Sequence, residues 1–441
     1  MKRRVMAVLL VVIICLAGCS SGNSSSGKST SGNAASGDTA SKETAAKDDG
    51  GSSSTGGGTK INIWLAGSGE AEFDAAFREV FDKFAAENDV TYELTFIPWG
   101  DYFTKLNTGL IGGAGPDIFM LGYGQMGSVL DLGYVQNLDE YIPKDWDGLT
   151  DIAQNVLDAG KKDGSIYGLF QPSTRVWMYR KDIAQQQGVT EDELTIKTPD
   201  DFYNLVKKLT VKDDNGNVVT YGLELDQDGE QFFYSLASMY QSDRVFLWNS
   251  DLTAAFNTEA AVQSIDKMKE LIDEGYVTLL APGNATNGVQ SGVAAMTLAA
   301  ETSYATANSA FPDQIGFVNS EMNTLLIGNY IVLNSESANK DIAAKMLIDL
   351  FSKESCSILA EKASLYSGRK SLDEEFLALN PEFGNVLAAY NYSEPFANTL
   401  NPKFTELISD FRLGLEQAYA QDDTPGQLKM MEETWNAKLK E

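Results

Sequence analysis

Residues able to do chemistry are unevenly supplied in this chain. Among 441 residues there are 62 Asp and Glu, 34 Lys and Arg, three Cys and no His. The missing imidazole removes Ser-His-Asp and Cys-His catalysis, His-ligated zinc and His general acid/base work. Carboxylates are plentiful, and glycan cleavage needs two of them flanking one bond, but no local motif singles out such a pair. Asp213, Asn215, Asn217 and Glu224 fall at positions 1, 3, 5 and 12 of a calcium loop, yet position 6, which wants Gly, is Val218. An Asn-Gly hairpin turn accounts for that segment better. Cys356 lies in an apolar pattern, Cys356-Ser357-Ile358-Leu359-Ala360, and reads as a small core residue on a helix. No cofactor and no metal are expected.

Cys19 differs in kind. Lys2, Arg3 and Arg4 precede an almost wholly apolar stretch over 5–17, which ends in Leu16-Ala17-Gly18-Cys19. A charged start, a short apolar run and small residues at the cut describe a secretory signal. The run is too short for a comfortable membrane span, which needs about 20 residues. The tetrad resembles the lipobox of bacterial lipoproteins. That resemblance implies a signal peptide over 1–18, cleavage before Cys19 and diacylglycerol on its thiol. The chain is then lipid-anchored at the extracellular face of the cell membrane. Residues 20–59 contain no aromatic residue and no Val, Ile, Leu or Met. Such a linker cannot offset its ordering entropy, and its r.m.s. span is roughly 35 Å at about 5–6 Å per square-root residue. The net charge of −28 makes nucleic acid and anionic headgroups poor partners.

Stepwise patterning then supplies the elements that must position a site. Lys60–Leu65 alternates and predicts a strand. Phe73, Phe77, Phe81 and Phe84 recur at helical spacing, as a core stripe. Tyr92–Ile97 predicts a second strand, 101–111 a helix and Pro116–Leu121 a third strand. This alternation implies a parallel α/β layer with right-handed crossovers. Ile166–Phe170 and Val176–Tyr179 read as two short strands, and Val211–Val219 as a hairpin. Helices are expected over 200–210, 230–240, 258–274, 338–353, 355–363, 403–420 and 425–440. Length from Lys60 onward suggests about two or three domains.

From about residue 60 to the end, the ordered motifs resemble family 1 extracellular solute-binding proteins of bacterial ABC importers, the class that includes maltose-binding proteins. They are Ile61-Asn62-Ile63-Trp64, Phe96-Ile97-Pro98-Trp99-Gly100-Asp101-Tyr102, Gly115-Pro116-Asp117-Ile118-Phe119-Met120-Leu121 and Gly133-Tyr134-Val135-Gln136-Asn137-Leu138-Asp139. Further along stand Asp163-Gly164-Ser165-Ile166-Tyr167-Gly168-Leu169, Met178-Tyr179-Arg180-Lys181-Asp182, Thr198-Pro199-Asp200-Asp201-Phe202 and Ser291-Gly292-Val293-Ala294-Ala295-Met296-Thr297. Two motifs depart from the family pattern. Tyr179-Arg180-Lys181 stands for Tyr-Asn-Lys. Ala299-Ala300-Glu301-Thr302 stands where several members carry Gly-x-Trp, an aromatic that often stacks on sugar.

The resemblance implies a two-lobed, type II periplasmic-binding-protein-like α/β fold. Each lobe is a mainly parallel sheet flanked by helices, and the ligand lies in the cleft between them. The expected N-terminal lobe is 60–172 with 316–353, the C-terminal lobe 173–315 with 354–441, and the crossings lie near 171–176, 313–318 and 352–356. The implied function is capture of a sugar or oligosaccharide for an ABC permease, by a monomer that closes about hinges. Sugars need aromatic faces and planar polar groups, because unpaired hydroxyls are costly. Loops at strand ends offer Ser68, Glu70, Trp99, Asp101, Tyr123 and Gln125 on the first lobe. Arg175 sits at the first crossing. Glu230, Gln231, Glu301, Thr302 and Tyr304 belong to second-lobe loops, Asn329 and Tyr330 open a returning strand, and Arg369 lies in a late loop. Each has a structural counterpart reading: Trp99 and Tyr123 as core aromatics, Glu70 as a helix-dipole partner, Asp101 as an N-cap, and Arg175 and Arg369 as surface salt-bridge partners. Tyr167 and Tyr179 match motifs but read as structural. A glycan-cleaving enzyme, a binder serving a sensory receptor and a binder of a non-sugar solute remain open alternatives.

Overall fold

A computed structural model describes residues 58–67, 71–227, 229–240, 247–280, 288–322, 324–390, 393–395 and 400–441. Cys19, the signal segment and residues 20–57 of the linker lie outside the described residues, as do Ser68 and Glu70. The opening elements follow the hydrophobic pattern. Strand β1 (Lys60–Ala66) buries Ile61, Ile63 and Leu65. Helix α1 (Ala71–Asn88) lays Phe77, Phe81 and Phe84 into the same core, with Phe73 and Phe77 ring to ring at 4.9 Å. Strand β2 (Thr91–Ile97) pairs in parallel with β1 from Lys60↔Thr91 to Ala66↔Ile97. Helix α2 (Trp99–Ile111) leads to β3 (Ile118–Gly122), parallel to β1 on its other side and buried along its whole length. Successive parallel strands need covering crossovers, and α1 and α2 supply them.

Two long strands then carry the chain between cores. Strand β4 runs unbroken from Leu169 to Arg180, where the sequence suggests two short pieces. Beyond it lie β5 (Met296–Ala300), β6 (Ile315–Phe317) and β7 (Thr324–Leu333). The order across the large sheet is β2-β1-β3-β7-β4-β5, with β6 also on β4, and β8 (Ser393–Pro395) beside β7. Pairing is parallel around β1 and antiparallel wherever β4 meets β5, β6 and β7. On β4, Leu169 and Phe170 pack in the first core. Trp177 and Tyr179 pack in a second core, and Val176 and Met178 in a smaller third one. On β7, Leu325 and Ile327 belong to the second core, Leu326 and Tyr330–Leu333 to the first. This is the expected two-lobed α/β fold. Residues 315–317, expected to cross, instead pair with Met178–Arg180 and pack in the third core, so the change of core falls within β7.

The second core is closed by helices α3 (Pro199–Leu209), α4 (Glu230–Ser238), α5 (Glu259–Asp273), α8 (Phe404–Ala420) and α9 (Thr424–Lys438). Between them in the chain, α6 (Lys340–Leu350) and α7 (Lys353–Ala363) lie against α1. Helix α3 starts as its sequence demands. Thr198 accepts from the Asp201 amide at 3.2 Å, Asp201 accepts from the Thr198 amide at 2.9 Å, and Pro199 occupies the first turn. The Asp213–Asn217 turn closes on itself, since the Asp213 carboxylate accepts from the Asn215 and Asn217 amides at 2.9 and 2.8 Å. Cys356 is buried on α7, and burial pushes its thiol up to about 11. 

Pro172 lies inside β4, with Gly328 of β7 opposite it. A Cβ on Gly328 would lie 2.1 Å from the Gln171 carbonyl oxygen, a clash with backbone. Gly328→Ala is therefore expected to cost about 3 kcal/mol or more, the upper range for overpacking. Urea unfolding checks this. A loss below about 1 kcal/mol would mean the strands can separate there at little cost.

Candidate ligand-binding site

Where β4 and β7 pass between the cores, the flanking elements enclose a cleft of about 740 Å³. Gly67 follows β1, Trp99 and Phe103 come from α2, and Gly122 to Gln125 end β3. The floor is Gln171, Ser173 and Arg175 of β4 with Ile327 to Asn329 of β7. Thr302 follows β5, while Thr405, Ser409 and Arg412 project from α8. Trp99 is 43 % exposed, the one large aromatic so open among the described residues. Gly122 lets Gln125 fold back over the strand end, since a Cβ there would meet Gln125 Oε1 at 2.9 Å.

One polar network spans this region. Glu230, at the start of α4, takes a two-pronged contact from Arg412: Nε to Oε2 at 2.7 Å and Nη2 to Oε1 at 2.8 Å. The Tyr123 hydroxyl also donates to Glu230. Tyr123 in turn accepts from Gln231 Nε2 at 2.8 Å and from Arg412 Nη2 at 3.3 Å. Arg175 donates through Nε to Gln231 Oε1, and through Nη1 to Ser173 Oγ at 3.3 Å. Ser173 donates to Glu301 Oε2 at 2.9 Å, the Thr174 amide reaches the same oxygen at 3.1 Å, and Tyr390 donates to Oε1 at 2.9 Å.

Burial sets the electrostatics of each member. Burial raises Glu230, but the Arg412 hydrogen bonds and charge outweigh it and hold the carboxyl below its ordinary value. Glu301 has no such clamp, and burial pushes its carboxyl up against the partial relief from Ser173. Burial lowers Arg175, whose recorded hydrogen bonds go to the neutral Gln231 and Ser173. Tyr123 is raised by burial and by the Glu230 charge.

The structure thus brings Trp99, Tyr123, Gln125, Arg175, Thr302 and Asn329 to one cleft. Glu230 and Gln231 line a smaller adjoining cavity. Glu301 lies beneath the floor, 1 % exposed, as a support for Ser173 and Thr174. The other nominations fall elsewhere. Asp101 is exposed in the first turn of α2, where Pro98 rather than Asp101 is the cap. Tyr304 packs on Phe317 and Phe383, at 5.6 and 5.3 Å, in the third core. Tyr330 is 2 % exposed and packs on Phe170, because alternation along β7 turns it away from Asn329. Arg369 is fully buried, not a surface ion pair. It donates to Asp151 at 2.8 Å, Asp147 at 2.9 Å and the Phe351 carbonyl at 2.8 Å. Arg412 was not among the sequence candidates. Thr405, Ser409 and Arg412 share one face at helical spacing, and that polar stripe was its signal.

The pattern of the bacterial extracellular solute-binding proteins matches residues 67–355, well over half of the chain. This chain belongs to that family. A curated relative, the erythritol/L-threitol-binding protein of Mycolicibacterium smegmatis, is 25 % identical over 449 aligned positions, covering 89 % of this chain and 90 % of its own. A solute-binding protein of Thermotoga lettingae TMO, solved with α-D-tagatose, superposes with a TM-score of 0.74 at 20 % identity, over 86 % of this chain and 100 % of that one. Lmo0181 of Listeria monocytogenes, solved with cycloalternan, gives 0.73 at 22 %, over 87 % and 99 %. These two likenesses are of fold. No helix of the described residues is long and apolar enough to cross a membrane, and no metal-binding cluster occurs among those residues.

Glu230 yields a pH prediction with a definite sign. Its folded pKa lies below its unfolded value near 4.5, so its stabilisation is complete above that value and is lost as pH falls through the folded one. Glu230→Gln is expected to cost about 1–2 kcal/mol at neutral pH, since Arg412 is 44 % exposed and partly screened. The variant should then lose less stability than the native chain between pH 5 and pH 3. Parallel acid-unfolding curves for the two proteins would show that Arg412 does not sustain the charge.

Proposed function

We propose that this chain captures a sugar or oligosaccharide in the cleft and delivers it to an ABC importer permease, held at the extracellular face of the membrane by a lipid on Cys19. The capture lobes are taken as 60–172 with 316–353 and 173–315 with 354–441, adjusted so that the return to the first lobe falls within β7 and α7 stays beside α1. The observation that carries the proposal is Arg175. Its guanidinium lies on the cleft floor with hydrogen bonds to neutral partners, leaving donors to spare for hydroxyl oxygens. Trp99 offers an open ring face on the same cleft, and sugar sites pair such a face with planar polar groups. Ligands of the related proteins named above, a polyol, a ketose and a cyclic saccharide, support the same chemical class.

Binding is favoured over cleavage by how the buried carboxylates are used. Glu230 and Glu301 have split proton affinities, as a hydrolytic pair would, but both are 1 % exposed and their oxygens are taken by protein donors. The body from Lys60 should show a ligand-dependent rise in melting temperature with a member of a broad saccharide panel. Trp99→Ala should weaken that ligand about tenfold by calorimetry, near the 1.4 kcal/mol upper range of a stacked aromatic. A shift with a peptide or polyamine and none with any saccharide would contradict the reading. Grown with a labelled fatty acid, cells should incorporate label into the native full chain and not into Cys19→Ala. A native chain that takes up no label would overturn the anchor.

A further inference from the structure

Beside the cleft lies a second cavity of about 280 Å³. Arg175 and Arg412 line both spaces. Tyr123 faces the cleft, Glu230 and Gln231 face the niche, and the Tyr123 hydroxyl hydrogen-bonds to both. The partition between the two spaces is therefore built from side chains. Tyr123 follows β3, while Glu230 and Gln231 sit on α4, so the partition is made by side chains from two separate elements.

We infer that the niche is a side subsite for one uncharged sugar ring, so that the ligand is a branched oligosaccharide. Its main chain lies in the cleft and its branch passes between Arg175 and Arg412. This inference rests on the saccharide reading above. At about 280 Å³ the niche is large enough to admit one pyranose ring. Phe232 and Leu298 give it apolar wall, and Gln231 gives it a planar amide, the two kinds of surface that a ring requires. Two carboxylates, Asp226 and Glu230, line the niche together with the two guanidinium groups. That balance suits a neutral ring over a uronic acid or an amino sugar, either of which would leave one charge unmatched.

Leu298 lines the niche and not the cleft, so filling it tests the subsite alone. Leu298→Phe and the bulkier Leu298→Trp are checked for folding by circular dichroism and melting temperature. Calorimetry then measures matched pairs, each a linear saccharide and the same saccharide with a single-ring branch, built on glucan, xylan, mannan and galactan chains. The native protein is expected to bind the branched member of one pair at least tenfold more tightly. The filled variants should bind that branched ligand no better than the linear one and leave the linear affinity unchanged. Equal affinity for both members in the native protein overturns the inference, as does an undiminished branch preference in a folded variant. A native protein that binds a linear saccharide without branch preference loses only this inference. One that binds no saccharide loses the sugar reading as well.

Discussion

Everything in this structure depends on two strand backbones passing between the cores in contact. Strands β4 and β7 pair antiparallel from Leu326↔Thr174 to Ile331↔Leu169, and at Gly328 there is no space for even a methyl group. That pairing joins two apolar cores that lie at either end of the same face of these strands, and leaves a hollow between them above the join. A strand alternates its side chains between faces. The residues that pass the join therefore send alternate side chains to core and to cleft. On β7, Tyr330 goes to core and Asn329 to cleft.

The join also decides which polar groups are stranded. A buried ion needs partners, and the penalty for lacking them exceeds the gain from a typical hydrogen bond. Glu301 is matched by donors from the floor and from Tyr390. Glu230 is matched by Arg412 across from α8. Arg175 stands between these two anions with hydrogen bonds only to neutral groups. Its charge is balanced at a distance while its donors face open space. Such a group is well placed to take hydroxyl oxygens, and poorly placed to do acid/base chemistry.

Local pattern made the supporting frame readable from the residues alone. The alternation of β1, β2 and β3, the Phe stripe of α1 and the Thr198 cap each encode their structure within a few positions. That Trp99 and Tyr123 line the cleft was legible because strand ends are where such folds hold ligands, and that Arg175 does so because it lies at a crossing between lobes. What failed depended on partners far away in sequence. Arg369 is buried because Asp147 and Asp151, more than two hundred residues earlier, come to meet it. Strand β4 read as two short pieces because nothing local reveals that β7 pairs with the segment between them. Arg412 was hidden on a helix whose partner, Glu230, lies 182 residues away.

The central claim is that the cleft above the β4–β7 join holds the solute and that Arg175 receives it. The most direct test is a crystal structure of the body from Lys60 with the saccharide that stabilises it most. The account predicts a ring stacked on Trp99 with its hydroxyls on the Arg175 guanidinium. Density for the saccharide outside the cleft, with Arg175 still engaged only by Gln231 and Ser173, would contradict it.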